Sequence, residues 1–264
     1  MQWKELSATD FEQAVKDTGV CILPTGVLEK HSEHLPLGTD CYISHGIANL
    51  AAEKESAVVF PPFYFGQIYE ARCFPGTITI PPRLLLDLFM ATLDEIERNG
   101  FKKIIIVNGH GGNNSLLPFL AQCALWEEKP YHIYIPRQTM SDQGQKEWDS
   151  LVEAPYGGHA GEYETALILG LHPELVHMDR LPEEPAQPLG RMGKMDATYN
   201  AIWWYADYPD HYAGDGSKGT VEKGRKLVEL TTDYLASYIA DVKKDEVIPA
   251  LTREFFEHTN SIGK

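Results

Sequence analysis

Short unbroken apolar runs alternate along this chain with longer stretches in which apolar residues recur every three or four positions. Val20-Cys21-Ile22-Leu23, Val58-Val59-Phe60, Lys103 to Val107 and Tyr131 to Ile135 read as buried strands. The first three end at polar or Pro/Gly stops: Pro24-Thr25-Gly26, Pro61-Pro62 and Asn108-Gly109. Helical spacing occurs through Phe11 and Val15 behind a Ser7/Asp10 cap, and through Ile43, Ile47 and Leu50 after Asp40. It recurs between Pro82 and Gly100, from about Ser115 to Trp126, and from about Val221 to Val242, which reads as the last helix. Continuous apolar strands separated by amphipathic helices predict an α/β fold, a mostly parallel sheet covered on both faces. With no internal repeat, low-complexity tract or Gly/Ser linker, one domain over residues 1–264 is expected. Its elaborated loop region, Met140 to Ser217, has room for a lid or a subunit contact. Within it the Pro/Gly-rich Leu181–Gly193 reads as a surface connection.

Charge narrows the partners. A net charge of −15 argues against nucleic acid and against an anionic membrane surface, both of which need clustered Lys and Arg. The amino-terminal MQWKELSATDFEQAV lacks a basic start and an apolar run, and the longest apolar runs are too short to span a bilayer, so the cytoplasm is the expected compartment. Cys21, Cys41, Cys73 and Cys123 form no close pair and are read as buried free thiols rather than disulfides or metal ligands.

Three polar clusters carry the candidate chemistry. Glu29-Lys30-His31-Ser32-Glu33-His34 runs on to Pro36-Leu37-Gly38-Thr39-Asp40 shortly after the first strand. Asn108-Gly109-His110-Gly111-Gly112-Asn113 follows the third strand, and His159-Ala160-Gly161-Glu162-Tyr163-Glu164-Thr165 leads into an apolar helix. Ligands in open α/β sheets gather beyond the carboxyl ends of the strands, and imidazole with carboxylate suits borderline divalent cations such as Zn or Mn. Glu29 and His31, two residues apart, would feed two neighbouring metals more naturally than one, with Asp40 able to bridge both. Taken singly, each cluster also reads as a solvated loop, a tight strand-to-helix turn or a helix cap. Three at equivalent topological positions are harder to explain that way.

At these residues the sequence resembles the creatininase family, which includes formamide hydrolases and a peptidase. Its E-x-H and PLGTD motifs correspond to Glu29-Lys30-His31 and Pro36 to Asp40, and its NGHGGN motif to Asn108 to Asn113. HAGxxET stands at His159 to Thr165, FPGT at Phe74 to Thr77, and a late glycine-aspartate loop at Tyr212 to Asp215, followed by Glu222-Lys223-Gly224. The matches span roughly residues 20 to 230. The resemblance implies a three-layer α/β/α fold, a homohexamer, and two divalent ions per subunit, Zn and/or Mn, with Fe as a further option. Glu29, Asp40 and His110 would hold one ion, and His31, Asp40 and Glu164 the other, with His159 as the catalytic histidine. The implied reaction is attack of a hydroxide shared by the two ions on a C–N amide bond, cyclic or formyl, of a small molecule.

Departures from creatininase itself fall in the pocket. Gly111 stands in place of a tyrosine, Gly112 in place of a metal-site glutamate, and Pro155 in place of a tryptophan. His34, Glu70, Arg72 and Gly111 are the candidate substrate contacts, with Glu33 beside them. Arg72 raises the prospect of an anionic substrate, since a guanidinium reads carboxylates bidentately. Trp203-Trp204-Tyr205 reads first as packing or an interface, and as a pocket wall second. Ring opening or C–C cleavage of a cyclic keto-polyol on the same metals is the alternative reaction, and a non-catalytic metal- or sugar-binding protein the alternative class.

Overall fold

The computed structural model describes residues 1–154 and 158–262, so the Pro155 position lies outside the described residues. The principal elements are α1 (Ala8–Thr18), β1 (Val20–Thr25), α2 (Thr39–Lys54), β2 (Val58–Val59), α3 (Pro82–Arg98), β3 (Lys103–Asn108) and α4 (Asn113–Cys123). After them come β4 (His132–Tyr134), α5 (Asp142–Asp149), α6 (Glu162–Leu171), α7 (Trp203–Asp207), α8 (Val221–Lys244) and α9 (Val247–Ser261). The strands form one sheet in the order β2-β1-β3-β4, and every pairing is parallel.

Alternate residues of each strand explain why the runs lack polar positions. Cys21, Leu23, Ile104 and Ile106 pack with Ala14 of α1, Phe89, Leu93 and Ile96 of α3, and Leu117 and Leu120 of α4. Val20, Ile22, Val59 and Ile105 face the other way, onto Ile47, Ala48 and Ala51 of α2 and Leu235, Ile239 and Val242 of α8. Both faces are therefore apolar and covered, which makes the molecule a three-layer α/β/α structure. The register runs from Val20 opposite Lys103 to Thr25 opposite Asn108, so β1 and β3 end level and release their following loops side by side.

Two expectations need correction. The chain does not end its helices at Val242: α8 continues to Lys244 and α9 follows. The Asp245 carboxylate accepts from the Val247 and Ile248 amides at 3.0 and 3.2 Å, and Pro249 sits in the first turn, where its missing N–H costs nothing. The cysteines are not uniformly buried either. Cys21 and Cys41 are, whereas Cys73 is exposed and Cys123 half-buried, though all four are free. Leu181–Gly193 is mostly exposed, as its composition suggests. Among the described residues no helix is long and apolar enough to cross a membrane.

Candidate metal centre

The site lies beyond the carboxyl ends of β1 and β3. Gly109, directly after β3, allows the amino end of α2 to approach: a Cβ there would stand 2.2 Å from the Asp40 carbonyl oxygen. That contact brings Asp40, in the first turn of α2, between the loop carrying Glu29 and His31 and the turn carrying His110. The asparagines of that turn shape it. Asn108 Oδ1 accepts from the His110 amide at 3.1 Å, Asn108 Nδ2 donates to the His110 carbonyl at 2.8 Å, and Asn113 Oδ1 accepts from the Gln67 amide at 3.0 Å.

Glu29, His31 and Asp40 are almost completely buried, and His110 and His159 nearly so. Candidate ligand atoms of Glu29, Asp40 and His110 lie within 4.8 Å of one another, as do those of His31, Asp40 and Glu164, and those of Glu29, His31 and His159. Asp40 belongs to the first two groups. Its Oδ1 is 3.0 Å from His31 Nε2 and its Oδ2 is 3.0 Å from His110 Nδ1, which also lies 2.9 Å from Glu29 Oε1.

The far side of each ring decides what these short distances mean. His31 Nδ1 pairs with the Glu29 carbonyl at 3.2 Å, and His110 Nε2 with the Gln67 carbonyl at 2.7 Å. A carbonyl only accepts, so each of these nitrogens carries the hydrogen. In a neutral ring the opposite nitrogen then presents a bare lone pair to carboxylate oxygens. Glu29 Oε1 and Asp40 Oδ2 receive no hydrogen bond among the described residues. Such an arrangement is repulsive unless a proton or a cation sits between the donors. With protein alone, the site responds by holding protons. Burial disfavours the imidazolium of His31, but Asp40, Glu164 and Glu29 outweigh it and raise the ring to about 9; the same balance raises His110. Burial, against the pull of His31, pushes the Glu164 carboxyl up to about 7. Glu29 Oε1 and Asp40 Oδ2, left without a protein donor among the described residues, converge with ring lone pairs as the donor set of a divalent cation does, and the residues present fit such ions.

His159 stands apart from this set. Its Nε2 donates to the Lys30 carbonyl at 2.7 Å, so that nitrogen is not free to ligate, while Nδ1 lies 4.0 Å from Glu164 Oε2. Burial and the neighbouring His31 push the ring down to about 3, leaving it neutral. Its Ala160 neighbour donates its amide to Glu164 Oε2 at 2.6 Å. Glu162, by contrast, has a structural role: it is buried, takes the Ala154 amide at 2.6 Å and pairs with Lys223 at 2.5 Å, tying the motif to α8.

A cavity of about 1030 Å³ opens onto the centre. Glu29, His110, His159 and Glu164 form its floor, and Gln67, Glu70, Arg72 and Gly111 lie on its wall with Tyr199 to Tyr205. The aromatic run Trp203-Trp204-Tyr205 is thus a pocket wall rather than packing alone, and the long loop region supplies it. Glu70 is held by Gln67 Nε2 at 2.9 Å, and Arg72 is exposed. His34 is not on this wall. It is buried, with Nε2 2.9 Å from Thr165 Oγ1, and burial with His31 lowers it to about 4. Glu33 is solvent-facing and pairs with Lys30 at 2.8 Å. At Gly112 a Cβ would meet the Gln67 carbonyl oxygen at 2.4 Å, so no side chain fits there beside the carbonyl that orients His110.

One residue of the site went unread in the sequence. His211 is buried, donates from Nε2 to Glu29 Oε2 at 2.6 Å and lines the cavity. It carries no motif of its own; the available signal was its place directly before Tyr212 to Asp215.

Comparison with known proteins follows the same lines. Residues 4–239 match the family described as Creatininase: creatinine amidohydrolase. The chain is 24% identical to the 3-dehydro-scyllo-inosose hydrolase of Thermotoga maritima over 91% of this chain and 83% of that one. It is 25% identical to the creatinine amidohydrolase of Pseudomonas putida (94% and 96% covered). With the mycofactocin precursor peptide peptidase of Mycobacterium ulcerans it shares 27% identity (89% and 90%). Solved creatininases share the fold. A mutant of Zn–Zn type superposes with a TM-score of 0.76 at 21% identity, and a Mn form with 0.76 at 22%, each covering 91% of this chain and 97% of its own. The chain belongs to the creatininase family of hydrolases.

Proposed function

We propose that this hydrolase uses a dinuclear centre, with Glu29, Asp40 and His110 holding one divalent ion and His31, Asp40 and Glu164 the other, to cleave a C–N amide bond of a small molecule, cyclic or formyl. The observation that carries this reading is the orientation of His31 and His110. Each commits its N–H to a backbone carbonyl and turns its other nitrogen toward Asp40, and the oxygens facing His110, Glu29 Oε1 and Asp40 Oδ2, are met by no protein donor among the described residues. Zn and Mn are the candidate ions, both being borderline cations suited to imidazole and carboxylate, and both occurring in the solved creatininases. Bound there, two such ions supply an acidified water and an electrophile for a carbonyl oxygen.

The chain's own groups do the rest. Asp40 offers one oxygen to each ligand set. His159, neutral and tethered through Nε2, has only Nδ1 free on the cavity side. It can therefore take a proton before it has one to give, and it returns that proton to the departing nitrogen. The Lys30 carbonyl, by accepting from Nε2, stabilises the imidazolium in between. Gly111 leaves open space beside His110, with nothing within 4 Å of a Cβ, and Trp203, Trp204 and Tyr205 line the same cavity.

Ring opening of a cyclic keto-polyol is the second reading. Flat aromatic faces at Trp203 and Trp204 beside the polar Gln67, Glu70 and Arg72 suit a polyol ring, and the Thermotoga relative is an inosose hydrolase. Plasma emission on protein purified without chelators, alongside His31→Ala, tests the centre. About two divalent ions per chain, fewer in the variant, support it and license a screen of cyclic amides, formamides and keto-polyols. A wild type that takes up neither Zn nor Mn overturns it and moves the protein toward a binding role. The hexamer implied by the family resemblance belongs to the same proposal, and light scattering of the eluted protein tests it.

A further inference from the structure

His211 occupies left-handed backbone, with φ 56°, where a residue with a side chain is strained. Its ring is fixed from several sides. Phe74 lies against it with centroids 5.4 Å apart, and His159 meets it edge-on at 4.4 Å. The decisive contact is Trp204, whose indole Nε1 reaches His211 Nδ1 at 3.3 Å. An indole nitrogen only donates, so Nδ1 must accept. The hydrogen of His211 is thereby assigned to Nε2, which gives it to Glu29 Oε2 at 2.6 Å. With its lone pair engaged by the indole, His211 cannot itself hold a metal.

We propose that His211 is a positioning residue that binds Glu29 Oε2 so that Oε1 alone faces the ion, and that Trp204 on α7 sets its tautomer. The hydrogen-bonded series Trp204–His211–Glu29 then joins the aromatic wall of the cavity to the metal centre. A substrate seated against α7 is sensed at Glu29 through two hydrogen bonds. The proposal rests on the dinuclear reading given above.

The test uses the metal-free full-length protein titrated with Mn²⁺, in the wild type, His211→Phe, His211→Gln and Trp204→Phe. Phenylalanine keeps a ring in the gap but neither hydrogen bond; glutamine loses the ring but can donate to Glu29 and accept from the indole. A positioning role makes His211→Phe weaken Mn²⁺ binding about ten- to a hundredfold, the usual cost of losing a ligand's hydrogen-bond partner. His211→Gln should stay close to wild type. A role in packing alone gives the reverse order and overturns the proposal, as does wild-type affinity in both variants. Trp204→Phe should weaken binding, and should add nothing in the His211→Phe background; full additivity overturns the coupling. A wild type that binds no Mn²⁺ overturns the dinuclear reading and this proposal with it, whereas two ions held equally by all the proteins overturn this proposal alone.

Discussion

The Ser32 amide donates to the His211 carbonyl at 3.3 Å, and both residues hold left-handed backbone, with φ 55° and 56°. Ala160, at φ 55°, is the third non-glycine residue with positive φ among the described residues. Ser32 follows His31 and Ala160 follows His159, so all three lie at the centre. Each costs about 1–3 kcal/mol and persists because the surroundings impose it. Ser32→Gly should therefore leave stability unchanged or raise it by up to ~1 kcal/mol, because relief of strain outweighs the entropy that glycine adds to the unfolded chain. Thermal unfolding checks this. A loss above ~1 kcal/mol, a fall of about 2–4 °C for a chain of this size, would contradict the strain assignment.

Asp40 is the one carboxylate shared by both proposed ligand sets. Replacing it with asparagine removes one negative charge and leaves a single oxygen. Asp40→Asn should lower the occupancy of both ions, at a cost of about a hundredfold or more in affinity, beyond that of losing an outer hydrogen-bond partner. Elemental analysis reads this directly, and two ions retained at full occupancy would refute the bridging role.

His159 should separate chemistry from metal binding. Because its Nε2 is tied to the Lys30 carbonyl, His159→Gln should keep the metal content while lowering kcat about 10²- to 10⁴-fold. Metal lost in step with activity would instead make His159 a ligand.

Much of this arrangement was legible from the chain because its signals are local. Val20 to Thr25 and Lys103 to Asn108 read as strands from unbroken apolar runs, and the clusters at Glu29, His110 and His159 follow or precede recognisable elements. What was not legible depends on distant contacts. His211 meets Glu29 across 182 positions, and its importance lies in a ring tautomer set by Trp204. His34 looked like a pocket residue because it shares a loop with His31, yet its ring points into Thr165, 131 positions away. Helix α9 was missed because the Val221 to Val242 pattern reads as the last helix, whereas the Asp245 carboxylate starts another by accepting from the Val247 and Ile248 amides.

Gly109 and Gly111 make a matched pair two residues apart. A methyl group at 109 meets the Asp40 carbonyl oxygen at 2.2 Å, while one at 111 meets nothing within 4 Å. Gly109→Ala should cost about 1–3 kcal/mol, the range for forcing a methyl group into filled space. It should also weaken metal binding by moving Asp40. Gly111→Ala should change stability by less than ~0.5 kcal/mol. Melting temperatures of the two variants decide it; equal losses would mean that the approach of α2 to β3 does not depend on Gly109.

Arg72 bears on the substrate. It is exposed on the cavity wall, and no ion pair engages it among the described residues. The chain carries a net charge of −15. An anionic substrate approaching this surface meets general repulsion, which a cation on the cavity wall helps to offset. A neutral substrate needs no such group. Arg72→Ala should therefore raise KM for substrates bearing a carboxylate by about ten- to a hundredfold, the equivalent of one charge-assisted hydrogen bond, and leave kcat little changed. Neutral amides and keto-polyols should show no change in either constant. Comparing KM across charged and neutral members of one substrate series makes the measurement. Equal effects on both would mean that Arg72 shapes the wall without reading charge, and the substrate would then be sought among neutral molecules.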